Sequence, residues 1–141
     1  EETYSITSSE PEEDNTYLAY NKVIGTSLDK ELYLAFEVLD YALLSAPGAP
    51  LKTALTDAGI GKDILGSYDN GIYQPIFSIV AKNANVEQKN VFVNVIEDSL
   101  KDLVAKGIDK TVRSMTQAEK SMLRYNYIME KSINMLHMVG C

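Results

Sequence analysis

A chain of 141 residues with 45% hydrophobic and 23% charged residues sits in the ordinary globular range and is sized for one domain around a single core. One cysteine, Cys141, excludes a disulfide scaffold and favours a reducing compartment, and no apolar run of about 18 residues or basic-then-apolar leader marks a membrane span or secretory signal. The net charge of -7 excludes a nucleic-acid binder, because no Lys/Arg stripe appears on any segment, and the chain is expected to be soluble, with no membrane partner.

The charge is unevenly placed. Six acids (Glu1, Glu2, Glu10, Glu12, Glu13 and Asp14) and no base occupy the first 14 residues. Removing these six from the 20 acidic residues leaves 14 against 13 basic ones, so the body is nearly neutral. Residues 1–15 are therefore expected to be an acidic flexible arm or linker, and residues 16–141 a single α+β domain.

In chain order, Tyr17, Leu18, Tyr20, Val23 and Ile24 predict a strand over 16–24 that Gly25 closes. Thr26 or Ser27 is then expected to cap a helix, with Asp29 and Glu31 in its first turn. Leu32, Phe36, Leu39 and Leu43 share a stripe that Leu34, Val38, Tyr41 and Leu44 widen, which predicts a helix covered on most sides. Ala46-Pro47-Gly48-Ala49-Pro50 stops it, with Pro50 near the start of a second, short helix carrying Leu51, Ala54, Leu55 and Ala58 and ending at Gly59.

Strands are then predicted over 63–68 and 72–82, joined at Asn70-Gly71 by a tight turn that exploits positive φ. Pro75 cannot donate to a ladder, so the second strand should have an edge, a bulge or an unpaired end there. Asn85 with Gln88 spells a capping box before the chain's clearest helix, with Phe92, Val95, Ile96, Leu100, Leu103 and Val104 toward the core and Gly107 as its stop. A second capping pattern, Thr116 with Glu119, opens a last helix over about 116–138. The order β-α-α-β-β-α-α implies an α+β fold, a mainly antiparallel sheet with helices packed on one face.

Catalytic chemistry is hard to place on these residues. His137 is the only histidine, and one histidine cannot supply a two-His zinc motif, so neither a metal site nor a catalytic residue is assigned. Glu97, Asp98 and Asp102 lie beside Lys101 on the polar side of a patterned helix and read as a solvated face. Gly59-Ile60-Gly61 follows a helix rather than a strand, the wrong order for cradling phosphate, and Ser45 and Ser67 lack a nucleophile-elbow context. Met115, Met122, Met129, Met135 and Met138 gather near the C-terminus, as gap-fillers of a helix-packing core or as an adaptable partner surface.

Leu43-Leu44-Ser45-Ala46-Pro47-Gly48-Ala49-Pro50-Leu51, then Leu55-x-x-Ala58-Gly59-Ile60-Gly61-Lys62-Asp63, and the helix end Leu103-Val104-Ala105-Lys106-Gly107-Ile108 occur in one order. Together they resemble the second domain of presequence proteases, a branch of the insulinase-type or pitrilysin-like zinc metallopeptidases, over residues 17–108. The resemblance implies a LuxS/MPP-like half-domain in a family whose four related domains enclose a chamber, the first carrying an inverted His-x-x-Glu-His zinc site that this chain lacks. It further implies that the chain is a non-catalytic chamber-wall domain of a peptidase degrading unfolded peptides. The parent enzyme would hold zinc, while this fragment alone would be inactive and not bind the metal.

By the same resemblance, Ala46, Pro47, Gly48, Ala49 and Pro50 would contact the substrate, glycine allowing close approach of a peptide backbone. Partners would be the remaining domains of the same polypeptide and the peptide substrate, with a homodimer of the fragment as a way to cover an open strand edge. The location would be the cytoplasm in a bacterium, or the mitochondrial or plastid matrix in a eukaryote. The competing expectation is an independent protein-interaction module without enzymatic activity that uses its Met-rich last helix.

Overall fold

In a computed structural model, which describes residues 2–107, three strands pair antiparallel in the order β1-β3-β2. They are β1 (Thr16–Val23), β2 (Asp63–Asp69) and β3 (Ile76–Ala84). The expected α+β class and antiparallel sheet are therefore present. The last helix expected over 116–138, His137, Cys141 and the five methionines lie outside the described residues.

The central strand explains the sidedness of the sheet. Phe77, Ile79 and Ala81 alternate inward on β3 and are fully buried, with Leu18 and Ile64 beside them on β1 and β2. Their neighbours in sequence point to the opposite face, which no described helix covers. Where Thr16 faces Ala84 and Leu18 faces Ala81, β3 carries one extra residue, a bulge in which Asn83 takes a φ of 54°.

Pro75 does not put β3 on an edge. The ladder ends at Ile76 on both sides, so the missing N–H falls one residue beyond the pairing, and the Pro75 carbonyl accepts the Ile24 N–H at 2.8 Å. The same proline undoes the expected tight turn. Residues 70–75 form a six-residue connection, and neither Asn70 nor Gly71 has a positive φ. Asn70 instead donates through its side chain to Glu37 at 2.8 Å, fastening the connection to the first helix.

That helix, α1 (Lys30–Asp40), is capped by Asp29, whose carboxylate accepts the Leu32 N–H at 3.0 Å. Thr26 and Ser27, the expected caps, lie in the turn before it, where the Asp29 N–H reaches the Thr26 carbonyl. α1 runs into a π-helical turn, Tyr41–Ser45, closed by the Ala46 N–H on the Tyr41 carbonyl at 2.8 Å. The wide turn seats Leu43 and Leu44 in the core. A Cβ on Gly66 would collide with the Leu44 side chain, so β2 needs glycine where the π turn lands on the sheet.

Among the described residues, α1 buries one side fully and its flanks in part. Leu32, Ala35, Phe36 and Leu39 are buried, whereas Leu34, Val38 and Tyr41, spaced four and three residues apart, leave an exposed to half-buried apolar stripe. The predicted Asn85–Gln88 box forms, with the Asn85 N–H donating to Gln88 Oε1 at 3.0 Å, and opens a 3-10 turn (Val86–Gln88) ahead of α3 (Lys89–Lys106). Phe92, Ile96 and Leu100 recur every fourth residue and fill the core against α2 (Pro50–Asp57), whose Leu51 and Leu55 are fully buried. Fully burying each such side chain contributes roughly 1.5–3 kcal/mol, so these contacts, with Phe36 edge-on to Phe77 at 5.8 Å, dominate the fold's stability.

Candidate functional site

Two concave regions present themselves on opposite sides of the sheet. The first brings together four of the five residues expected to touch substrate, Ala46, Pro47, Gly48 and Ala49, while Pro50 opens α2 and does not line it. Ala46 accepts the Ala49 N–H at 2.9 Å, Pro47 and Gly48 occupy the two central positions, and Gly48 has a φ of 70°. Proline followed by a positive-φ glycine inside this bond is the pattern of a type II turn, which is why Gly48 is glycine. The turn borders a shallow groove of about 400 Å³ together with Ser45 and the α2 residues Lys52, Thr53, Thr56 and Asp57.

The backbone of the turn itself has few free donors. Pro47 and Pro50 have no N–H, and the amides of Ala46 and Ala49 are already bonded to Tyr41 and Ala46, which leaves the Gly48 N–H, beside the side chains of Ser45, Lys52 and Thr53 along the groove. Ala46 and Ala49 are themselves buried. Because Leu44, just upstream, packs on the inner side of Gly66, this turn belongs to the helical side of the sheet.

The second region is the uncovered sheet face, which reasoning from sequence did not single out. Tyr17, Leu65, Gly66, Ser67, Val80 and Lys82 line a cavity of about 490 Å³. Tyr17 and Leu65 are 51% and 44% exposed, so the strand centre presents aromatic and aliphatic surface to solvent. Lys82 places its ammonium 5.9 Å from the Tyr17 ring centre, a cation–π contact that keeps a positive charge over an apolar floor. The clue in the sequence was that Tyr17, Leu65 and Val80 sit at the outward phase of otherwise alternating strands, where polar residues are the norm.

Elsewhere the chemistry is structural. Lys101 pairs with Asp98 at 3.4 Å and lies 3.9 Å from Glu97 on the exposed side of α3, an ordinary solvated helix face. Gly61 brings its chain against the Lys82 carbonyl, which accepts the Lys62 N–H at 2.8 Å, so the Gly59-Ile60-Gly61 stretch is an α2–β2 connection. Burial pushes the Asp40 carboxyl up, and burial, then Tyr33 and Glu37, push the Tyr68 hydroxyl up to about 12. Among the described residues no group of three or more His, Cys, Asp or Glu is placed to hold a metal ion.

The family model described as Peptidase M16 inactive domain matches residues 2–119, most of the chain. The chain belongs to that family. This M16 domain is 47% identical over 108 residues to "Protein HypA" of Clostridium perfringens, covering 77% of this chain and 11% of that protein. It is 31% identical over 102 residues to "Presequence protease 1, chloroplastic/mitochondrial" of Arabidopsis thaliana, covering 70% of this chain and 9% of that protein. The chain thus spans about a tenth of the length of these relatives. A looser likeness joins the M16 domain to the crystal structure of an M16-like peptidase from Alicyclobacillus acidocaldarius, with a TM-score of 0.47, 18% identity, and 85% of this chain and 30% of the other covered. The resemblance read from the sequence and the family model agree on a non-catalytic M16 unit. The matched range takes in the acidic segment, the Ala46–Pro50 turn and the open sheet face alike.

Proposed function

We propose that this M16 domain is a non-catalytic wall of a chamber in a zinc-dependent peptidase that degrades unfolded peptides. Its open sheet face would line the chamber, and the parent's zinc would be held by another domain. The observation that carries the reading is the one-sided sheet: helices and the whole core lie behind it, while Tyr17, Leu65, Val80 and Lys82 face outward around a cavity of about 490 Å³. An apolar floor with a single cation suits an extended peptide of mixed sequence, because burial is non-directional and asks for no particular side chain. Enclosure by such a wall raises the effective concentration of a bound peptide at a distant metal. The relative named presequence protease supports the peptidase part of the reading.

Of the two regions, the open face is the better peptide contact. The Ala46–Pro50 turn offers one free amide and a buried pair of alanines, and its role is to join α1 to α2. The remaining domains of the same polypeptide are the expected partners, and the exposed Leu34 and Tyr41, flanking the half-buried Val38, are available for them.

The test uses the longer polypeptide carrying this domain. Exhaustive removal of zinc should abolish peptide hydrolysis. Leu65→Asp with Val80→Asp should lower kcat/KM on a long unfolded peptide by about tenfold, equivalent to ~1.4 kcal/mol, with zinc content unchanged. Hydrolysis that persists without zinc, or an unchanged kcat/KM in the charged variant, would sink the reading.

A further inference from the structure

The acidic segment ahead of β1 turns back on the domain. Its downstream end is fastened at Asp14, which takes a φ of 58°. The Asp14 N–H donates to Asn85 Oδ1 at 2.9 Å, and the Asp14 carboxylate accepts from Asn85 Nδ2 at 2.8 Å and pairs with Lys62 at 3.0 Å. Its carbonyl accepts from Asn83, the positive-φ residue of the β3 bulge, at 3.0 Å. Four contacts to three residues fix the direction in which the segment leaves the domain.

The segment is also bonded within itself. The Glu10 carboxylate accepts from the Thr7 amide at 2.9 Å and the Thr7 hydroxyl at 3.0 Å, and Asn15 Nδ2 donates to the Pro11 carbonyl at 2.6 Å. These bonds fold residues 4–15 into a loop, and the Tyr4 hydroxyl closes it by donating to the Asn15 carbonyl. The Tyr4 ring then meets Tyr17 edge-to-face, with centroids 5.9 Å apart and planes at 72°. Tyr17 is the aromatic member of the open-face cavity.

We propose that residues 2–15 form a strap, hinged at Asp14 and latched by Tyr4 on Tyr17, that covers the Tyr17 end of the open sheet face and competes with peptide there. The proposal rests on the reading of that face as a peptide-facing wall. The latch is one aromatic pair, and Tyr4 and Tyr17 remain 55% and 51% exposed, so the strap is poised at the edge of the cavity rather than closed over it. A latch of this size modulates access and does not block it. The acidic run keeps the strap solvated, while the hinge bonds hold Tyr4 near Tyr17 at high local concentration.

The chain contains no tryptophan, so Tyr4→Trp introduces a single indole reporter. In the intact 141-residue chain carrying Tyr4→Trp alone, the indole emission should lie to the blue of that in two double variants, Tyr4→Trp with Tyr17→Ala and Tyr4→Trp with Asp14→Ala. A synthetic peptide with the sequence of residues 2–13 serves as the ligand, followed by amide shifts at Leu65, Val80 and Lys82. The Tyr4→Ala chain should bind it about three- to tenfold more tightly than the unaltered chain, the size of one edge-to-face pair. Identical indole emission in all three reporter variants, or equal peptide affinity with and without Tyr4, overturns the strap while leaving the wall reading standing. Absence of any peptide-dependent shift on the open face of the Tyr4→Ala chain overturns both.

Discussion

Two buried side-chain polar atoms among the described residues have no hydrogen-bond partner, Asp40 Oδ1 and the Tyr68 hydroxyl. Each sits where burial disfavours its charged form, and for Asp40 this has a consequence for stability. A carboxyl whose pKa is raised on folding binds its proton more tightly in the native state. Its ionisation therefore costs stability at pH values above the ordinary carboxylate range, and that cost disappears as pH falls through the raised value. Asp40→Asn should raise the melting temperature by a few degrees at neutral pH, with the gap to the unaltered chain closing under acid. Thermal unfolding followed across pH checks this, and a gap that widens in acid contradicts it. Periodicity placed residue 40 on a helix, but the composition of its surroundings came only from packing.

At the scale of elements, Asn85 shows how a legible motif acquires a second role. The Asn-x-x-Gln spacing predicted the capping box, and the box formed because its groups lie within four residues of one another. The tie from Asn85 to Asp14 spans 71 residues of sequence and left no local signal. Asn85→Ala should cost about 1–2 kcal/mol, at the upper end for a lost cap, since two bonds to Asp14 go with it. Asn85→Asp should keep the cap and still release Asp14 by setting two carboxylates together, which protease sensitivity of the acidic segment would report. Lys62, then Asn85, holds the Asp14 carboxyl below its usual range, so this contribution is present above the ordinary carboxylate pKa and is lost as pH falls through the lowered value. The connection at Asn70-Gly71 teaches the converse. A strong local turn signal lost to Pro75, whose missing N–H stopped the ladder at Ile76, and Asn70 was used for its side chain instead.

For the whole molecule, one sheet face with Tyr17, Leu65 and Val80 and the exposed Leu34 and Tyr41 of the first helix are left uncovered by the described residues. β2, an outer strand, also leaves one edge without a strand partner among the described residues. The 141-residue chain by itself should therefore self-associate as concentration rises, and Leu65→Asp with Val80→Asp should suppress that association. Sedimentation velocity over a wide concentration range measures it. A strictly monomeric species throughout would contradict the expectation.

By itself the sequence determined the element order through α3, the capping box, the glycine stops and the absence of a two-histidine zinc motif, because each depends on residues close together in the chain. Tertiary structure alone decided which strand is central, which phase of each strand is left bare, and where the acidic segment goes. Those outcomes depend on contacts between distant residues, Leu44 on Gly66, Asn85 on Asp14 and Tyr4 on Tyr17, which no local pattern encodes.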